Sequence, residues 1–148
     1  MRRVVFDSTV LISAFISRDE GVCYELLALA RDGKFELVLS SAIILETWRK
    51  LMSGEHIRAR YTYSDQRAHR FCRGLLNIAT DVLRTTKPLT GVVRDPNDDM
   101  IVAAALDSRA DTIVSRDKDL LSLGSFRGVP IISPETFRQQ LREADHPR

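Results

Sequence analysis

The sequence has little cysteine and no long apolar run, and each shortage excludes a class of protein. The 148 residues include two cysteines, Cys23 and Cys72, far apart within helix-like segments. Two such residues make neither a metal cluster nor a disulfide framework, so we expect free, buried thiols in a reducing cytoplasm. No apolar stretch could cross a bilayer, and Asp7 interrupts the one after the basic start, which argues against a signal peptide.

Motifs for nucleotide cofactors and for histidine chemistry are also missing. The chain has neither a Walker A loop nor a dinucleotide glycine fingerprint, so nothing predicts a nucleotide cofactor. The histidines His56, His69 and His146 have no obvious serine or cysteine nucleophile to pair with, and we assign them no chemistry. Without a Cys/His cluster, zinc is not expected.

What the chain does have is arginine, which supplies 18 of the 22 basic residues. If seven of the 20 acids share one site, the other 13 leave the remaining surface at about +9. An acidic site in a basic rim suits a polyanionic substrate that is cut with the help of a metal. Genomic base composition explains the arginine equally well. The seven acids are Asp7, Glu46, Asp95, Asp98, Asp99, Asp117 and Asp119.

Short apolar strands alternate with helices along the chain. This order predicts one α/β domain over 1–144, with a frayed tail at 145–148. We expect a three-layer α/β/α sandwich with a mostly parallel, roughly five-stranded sheet. The expected strands are Val4–Phe6, Phe35–Leu39, a weak candidate at Asp81–Arg84, Thr112–Ser115 and Val129–Ile132.

Cap signals mark where several helices begin. Ser40, Ser64 and Ser133 each precede a helical pattern and are expected N-caps. An alanine-rich helix is expected from about Asp98 to Ser108, after a loop over 85–93 that contains proline and glycine.

Four acids are placed where a parallel sheet would gather them. Asp7 directly follows the first strand, and Asp117 comes just after the fourth. Glu46 lies near the second turn of the helix after strand two, and Asp99 lies in the first turn of the alanine-rich helix. All four then face the carboxyl edge of the sheet, where open α/β sheets bind ligands. Converging carboxylates need a counter-charge, and oxygen ligands suit Mg²⁺ or Mn²⁺.

Each acid also has an ordinary structural explanation. Asp7 and Asp117 could cap the helical segments that follow them. Asp99 could stabilise the N-terminus of its helix, where the helix dipole favours a negative charge. Glu46, in an apolar stretch, would then lie at the boundary of a buried helix face. Taken together and with this placement, the four acids favour a shared metal site.

Five segments that follow one another along the chain form a recognisable series. They are Val4–Ala14, Ser40–Glu46, Arg94–Asp99 running into Ile101–Leu106, Ile113–Leu121 and Gly128–Pro134. In this order they resemble the PIN-domain family, and within it the VapC-like toxins and their stand-alone relatives. The resemblance covers nearly the whole chain and implies a Mg²⁺- or Mn²⁺-dependent ribonuclease, a possible antitoxin partner and frequent dimerisation. It assigns metal binding and catalysis to Asp7, Glu46, Asp99 and Asp117, with supporting roles for Ser8, Thr9, Ser115 and Asp119.

One departure from the family pattern concerns Thr9. The family usually places Asn two residues after its first Asp, and an amide can both donate and accept hydrogen bonds. A threonine hydroxyl has a shorter reach. Weaker activity, an orienting role shared with Ser8, and a neutral variation are all compatible with the sequence.

A basic segment lies between residues 56 and 73. Three arginines recur every three residues there, and Tyr61 and Tyr63 are interleaved with the basic residues. The arginines either contact RNA phosphates or form a solvated helix face, and the tyrosines either stack an unpaired base or pack locally. Residues that could touch RNA are Arg67, Arg70, Arg73, Arg116 and Lys118.

Three functions follow from these patterns. The leading hypothesis is a metal-dependent endoribonuclease, the toxin of a toxin–antitoxin pair. The second is a catalytically weak PIN-like module that binds RNA or protein. The third is a haloacid-dehalogenase-like phosphatase, because Asp7-Ser8-Thr9 superficially resembles the nucleophile motif of those enzymes. That motif needs a second Asp at the position that Thr9 occupies here.

Overall fold

The computed structural model describes residues 1–17, 19–84 and 96–145, with side chains from residue 99 onward in the last range. Within these ranges the strands are β1 (Arg3–Phe6), β2 (Glu36–Ser40), β3 (Asp81–Leu83), β4 (Thr112–Val114), β5 (Ser125–Phe126) and β6 (Val129–Ile132). The helices are α1 (Ser8–Ile16), α2 (Gly21–Arg31), α3 (Ser41–Ser53), α4 (Glu55–Arg60), α5 (Asp65–Ile78), α6 (Pro96–Ser108), α7 (Lys118–Leu123) and α8 (Pro134–Asp145).

The strands form one sheet in the order β3-β2-β1-β4-β6-β5. All neighbours are parallel except β5, which pairs antiparallel with β6. The predicted mostly parallel α/β sheet is therefore confirmed. The prediction missed β5, because a two-residue strand is too short to show any alternation of apolar and polar residues.

The central strand β1 is covered on both faces. Its residues Val4, Val5 and Phe6 are all fully buried, although successive side chains of a strand point to opposite faces. Because helices cover both faces of this strand, all of its side chains are apolar, and its sequence is a continuous apolar run. Phe6 packs against the rings of Phe35 and Phe137, 5.7 Å and 6.3 Å away between centroids.

The expected helix caps are present. The hydroxyl of Ser40 accepts from the Ile43 amide at 3.1 Å, and Ser64 and Ser133 accept in the same way from the amides three residues on. These bonds satisfy amides that the first turn of a helix leaves without partners. They also fix where α3, α5 and α8 begin, and α3 carries Glu46.

Several boundaries differ from the sequence predictions. Helix α6 begins at Pro96, two residues earlier than expected, as the fixed φ of proline permits at a first helical position. The short helix α4 was not predicted. The expected loop over 85–93 and the last three residues of the expected tail, 146–148, lie outside the described residues.

Both cysteines are free and buried, as the sequence predicted. Cys23 belongs to the main core around β1, and Cys72 to a smaller cluster between α1, α3 and α5. Burial raises the pKa of the Cys72 thiol to about 11, so this group stays protonated at neutral pH. Across the described ranges, no helix combines the length and apolar character needed to span a membrane.

Candidate active site

Asp7 is a buried carboxylate at the carboxyl end of the central strand. Its side chain is held on both oxygens: Thr9 and the amide of Val10 donate to Oδ1, and Ser115 donates to Oδ2 at 2.6 Å. The residue is 3% exposed. It is also the N-cap of α1, so the cap that the sequence suggested as an ordinary explanation is present. The cap fixes the carboxylate at the edge of the sheet.

Two hydroxyl groups link the end of β1 to the end of β4. Thr9 Oγ1 donates to Asp7 and accepts from the backbone amide of Arg116 at 3.0 Å. Ser115 Oγ also donates to Asp7 and accepts from the backbone amide of Asp117 at 2.9 Å. Each hydroxyl thus donates and accepts at once. The loop that carries Asp117 is thereby fixed relative to Asp7.

Asp117 lies close enough to Asp7 for their charges to interact. Burial is the main cause that raises the pKa of Asp7 above its usual range, and the negative charge of Asp117 adds to it. The hydrogen bonds from Ser115, Thr9 and Val10 act in the opposite direction. A buried carboxylate beside a second acid is destabilising unless a cation offsets the negative charge. A bound metal ion would supply that positive charge.

Asp117 also caps a helix, as its ordinary explanation predicted. Its Oδ1 accepts from the amide of Asp119 at 2.8 Å, at the start of α7. Asp119 itself is exposed, at the second position of α7. Capping engages one oxygen of the Asp117 carboxylate and holds the group in place, so it is compatible with a second role.

Glu46 reaches the same edge from α3. Its side chain is only 12% exposed, and its Oε1 is buried without accepting a hydrogen bond. Lys50 Nζ lies 3.3 Å from that oxygen, close enough for an ion pair but without hydrogen-bond geometry. Lys50 Nζ also donates to Ser8 Oγ at 3.2 Å. Ser8 directly follows Asp7, so these contacts link Glu46, through Lys50, to the residue after the first acid.

Asp99 is buried in the first turn of α6, with 9% of the residue exposed. Helix α6 leads directly into β4 and packs against β1, β2 and β4. A helix that returns the chain to the amino end of a parallel strand starts at the opposite, carboxyl edge. Asp99 therefore begins at the edge that carries Asp7 and Asp117. The side chain of Asp98 lies outside the described residues.

The donor set suits a hard divalent cation, although the side chains do not enclose a common point. In the described ranges, no three His, Cys, Asp or Glu side chains are grouped closely enough to hold a metal ion. The acids of the edge offer carboxylate oxygens, the ligands that Mg²⁺ and Mn²⁺ favour. The buried, hydrogen-bond-free Oε1 of Glu46 is an atom that such a cation would satisfy.

The proposed RNA-contacting residues fall into two groups. The guanidinium of Arg67 lies 4.4 Å from the centre of the Phe15 ring and donates to the Phe15 carbonyl. That of Arg116 forms a two-pronged ion pair with Glu135, at 2.8 Å and 3.2 Å. These two side chains are held by the protein itself. Arg70, Arg73 and Lys118 are exposed, and Arg116 is exposed as well in spite of its ion pair.

The two tyrosines of the basic segment lie in different environments. Tyr63 packs edge-on against Phe15, 4.9 Å between ring centroids, and its hydroxyl donates to the Leu51 carbonyl. Local packing, one of the two expectations, is therefore what Tyr63 does. Tyr61 is 43% exposed.

Sequence reasoning missed Lys50 and the linking role of Ser115. The spacing of Lys50 four residues after Glu46 was a usable signal, because residues four apart share a helix face. No comparable signal marks the contact of Ser115 with Asp7. It depends on β1 and β4 being neighbours, and the two strands lie more than a hundred residues apart.

Comparison with known proteins supports the fold and identifies the family. No curated protein matches the chain. A crystal structure of VapBC2 from Rickettsia felis, bound to a DNA fragment from their promoter, is similar in fold, with a TM-score of 0.62 and 13% identity. The match covers 88% of this chain and 98% of the matched one.

A family model for the PIN domain matches residues 3–119. PIN domains are generally nucleases and typically use divalent metal ions. The match spans β1 with Asp7, α3 with Glu46, the start of α6 with Asp99 and the loop with Asp117. The resemblance predicted from the sequence is confirmed: this chain belongs to the PIN-domain family.

Proposed function

We propose that this PIN-domain protein is a divalent-metal-dependent endoribonuclease. The observation that carries the proposal is the electrostatic interaction of Asp7 with Asp117 at the carboxyl ends of neighbouring parallel strands, with Glu46 linked through Lys50 to Ser8. Asp7, Glu46, Asp99 and Asp117 would hold Mg²⁺ or Mn²⁺. When bound, the cation supplies a water of lowered pKa and offsets charge that develops on a phosphate.

The residues around the acids would position them and the substrate. Thr9 and Ser115 hold the Asp7 carboxylate through both oxygens, which fixes its direction before any ligand arrives. Lys118 and Asp119 start the exposed helix next to Asp117, where Lys118 would meet an RNA phosphate. Basic residues at the rim would attract a polyanion to an otherwise negative edge.

The experiment is cleavage of a mixed RNA pool with mapped ends, in Mg²⁺, in Mn²⁺ and in excess EDTA. Glu46→Gln should abolish cleavage, since it removes a charged ligand while keeping the size of the side chain. Glu143→Gln is a matched control, because Glu143 is exposed near the end of α8, far along the chain from the acids. Undiminished cutting by Glu46→Gln would refute the assigned site.

We further propose that the protein is the toxin of a toxin–antitoxin pair and acts in the cytoplasm. The support is the likeness in fold to the structure of VapBC2, which is bound to a DNA fragment from their promoter. The partners would be a small cognate antitoxin and a second copy of the chain. Co-expression with the product of the neighbouring reading frame should relieve growth arrest and yield a stable complex by size-exclusion chromatography.

A catalytically weak binding module is the second candidate. It is favoured by the lack, within the described residues, of three acids grouped tightly enough for a metal. Calorimetry with Mn²⁺ and RNA-binding measurements on the same preparation separate the two candidates: binding without turnover supports the module, and robust cleavage excludes it. The phosphatase hypothesis is set aside, because the chain belongs to the PIN-domain family.

A further inference from the structure

Lys50 is a cation within the acidic edge. Its Nζ lies 3.3 Å from Oε1 of Glu46 and 3.2 Å from the hydroxyl of Ser8, next to Asp7. Its side chain is 42% exposed, so the ammonium group faces both the acids and the solvent. A positive group in this position would repel the divalent cation and attract the RNA, the two ligands that the proposed function requires.

The contacts of Lys50 go beyond those of a surface ion pair on a helix. A pair four residues apart on an exposed helix contributes little to stability and usually leaves both groups solvated. Here Glu46 is nearly buried, and the bond to Ser8 crosses to a different helix, 42 residues away in sequence. The ammonium group is therefore held at the junction of α1 and α3, against Ser8, the residue that follows Asp7.

Two arginines that the sequence proposed as RNA contacts are held by other parts of the protein. The guanidinium of Arg116 is paired with Glu135, and that of Arg67 lies on the Phe15 ring. Lys50 contacts a candidate metal ligand directly and carries its charge on a flexible four-carbon stem. If Glu46 gives its oxygen to a divalent cation, the ammonium group is repelled from that oxygen and is free to pair with another anion.

We propose that Lys50 is a substrate-positioning residue that binds an RNA phosphate at the acidic edge and competes with the divalent cation for Glu46. The inference rests on the proposed function for its ligands. It makes two separate claims: removing the ammonium group strengthens metal binding, and it weakens RNA binding. A lysine that only stabilised its helix would produce neither effect.

The metal claim is tested by calorimetric titration with Mn²⁺. Lys50→Met and Lys50→Gln should bind Mn²⁺ more tightly than the wild type, about 3- to 10-fold, because a positive charge a few ångströms away is removed. Lys50→Arg keeps the charge and should resemble the wild type. Lys34→Met is the matched control, since Lys34 is exposed just before β2, at the opposite edge of the sheet.

The RNA claim is tested by fluorescence anisotropy with a short single-stranded RNA in EDTA, where metal-dependent cleavage is prevented. Lys50→Met should bind RNA several-fold more weakly, and the slope of log K against log salt should become shallower by about 0.7, the value for one lost phosphate contact. Lys50→Arg should retain the slope. Thermal melting in EDTA confirms that every variant is folded.

The outcomes separate this inference from the proposed function. A wild type that binds no Mn²⁺ refutes the metal-dependent nuclease, while a reduced salt slope in Lys50→Met still supports the phosphate contact. A wild type that binds Mn²⁺, with an unchanged salt slope in both neutral variants, overturns the phosphate contact and leaves the nuclease proposal standing. An unchanged Mn²⁺ affinity in those variants overturns the competition for Glu46.

Discussion

Thr9 stands where the PIN-family resemblance leads one to expect asparagine, and its hydroxyl does what an amide side chain would do there. It donates to the Asp7 carboxylate and accepts from the Arg116 amide. The short reach of threonine is sufficient because β1 and β4 are adjacent, which brings that amide to within 3.0 Å. Of the explanations that the sequence left open, this geometry supports an orienting role.

Replacing Thr9 by valine tests the contribution of the Thr9 hydrogen bonds while keeping the shape of the side chain. Thr9→Val keeps the volume but removes both bonds, so we expect metal-dependent cleavage to fall about 10- to 100-fold, as for other groups that orient metal ligands. The free energy of unfolding should fall by about 1–2 kcal/mol, because the Arg116 amide loses its acceptor. Single-turnover kinetics and urea denaturation measure the two effects. Thr9→Ser should remain close to the wild type, and equal losses in both variants would contradict the assignment.

The buried charge of Asp7 should make the metal-free protein less stable at neutral pH. Its pKa in the folded state is raised above 3.8, so the folded protein binds this proton more tightly than the unfolded chain does. Ionisation therefore destabilises the fold as pH rises from about 3.8 through the raised pKa, and the penalty is fully present above it.

Asp7→Asn removes this penalty. In EDTA at pH 7 we expect its Tm to exceed that of the wild type by about 2–5 °C, the shift that roughly 1 kcal/mol produces in a domain of this size. The difference should shrink as pH falls towards 4, where the wild-type carboxyl is protonated. Calorimetric melts across that range test the prediction. A difference that is independent of pH would show that hydrogen bonding, rather than charge, decides the effect.

Helix α5 shows how one regular pattern can hold two kinds of arginine. The three-residue spacing of Arg67, Arg70 and Arg73 gave the sequence no way to tell them apart. In the fold, Arg67 lies over Phe15, whereas Arg70 and Arg73 remain exposed. The difference arises from α1, which supplies the aromatic ring and the carbonyl that hold Arg67.

Alanine substitutions in α5 should separate these roles. Arg67→Ala should lower the free energy of unfolding by about 1–2 kcal/mol, because it loses a cation–π contact and a charged hydrogen bond to the backbone. Arg70→Ala, the matched control, should change stability by less than about 0.5 kcal/mol. If α5 contacts RNA, Arg70→Ala should weaken binding and flatten its salt dependence. Equal stability losses in urea denaturation would contradict the distinction.

The acidic edge links metal binding to the stability of the whole molecule. Asp7 and Asp117 repel each other, and the acids of the edge come from segments spread along most of the chain. A cation that joins them stabilises the folded state alone, since the unfolded chain keeps these residues apart. Stability should therefore depend on metal concentration.

Divalent cations should raise the Tm of the wild type. At a metal concentration of about 100 times Kd the stabilisation is about 2.7 kcal/mol, which corresponds to several degrees here. Differential scanning calorimetry in Mg²⁺ or Mn²⁺, reversed by EDTA, measures the shift. Glu46→Gln should lose most of it, and Glu143→Gln should keep it. An equal shift in both variants would place the cation elsewhere.

The sequence by itself determined the α/β class, the central buried strands and the caps of α3, α5 and α8. These features depend on local apolar runs and on residues a few positions apart, which the order of amino acids states directly. It also singled out Asp7, Glu46, Asp99 and Asp117, because an acid after a parallel strand, or early in a flanking helix, reaches the carboxyl edge wherever the strand lies in the sheet.

Only the tertiary structure decided how these groups contact one another. The bonds of Thr9 and Ser115 across β1 and β4, the position of Arg67 on Phe15 and the contact of Lys50 with Ser8 all join residues distant in sequence. Which strands are neighbours, and which helix covers which side chain, is set by packing of the entire core. No local pattern of residues contains that information.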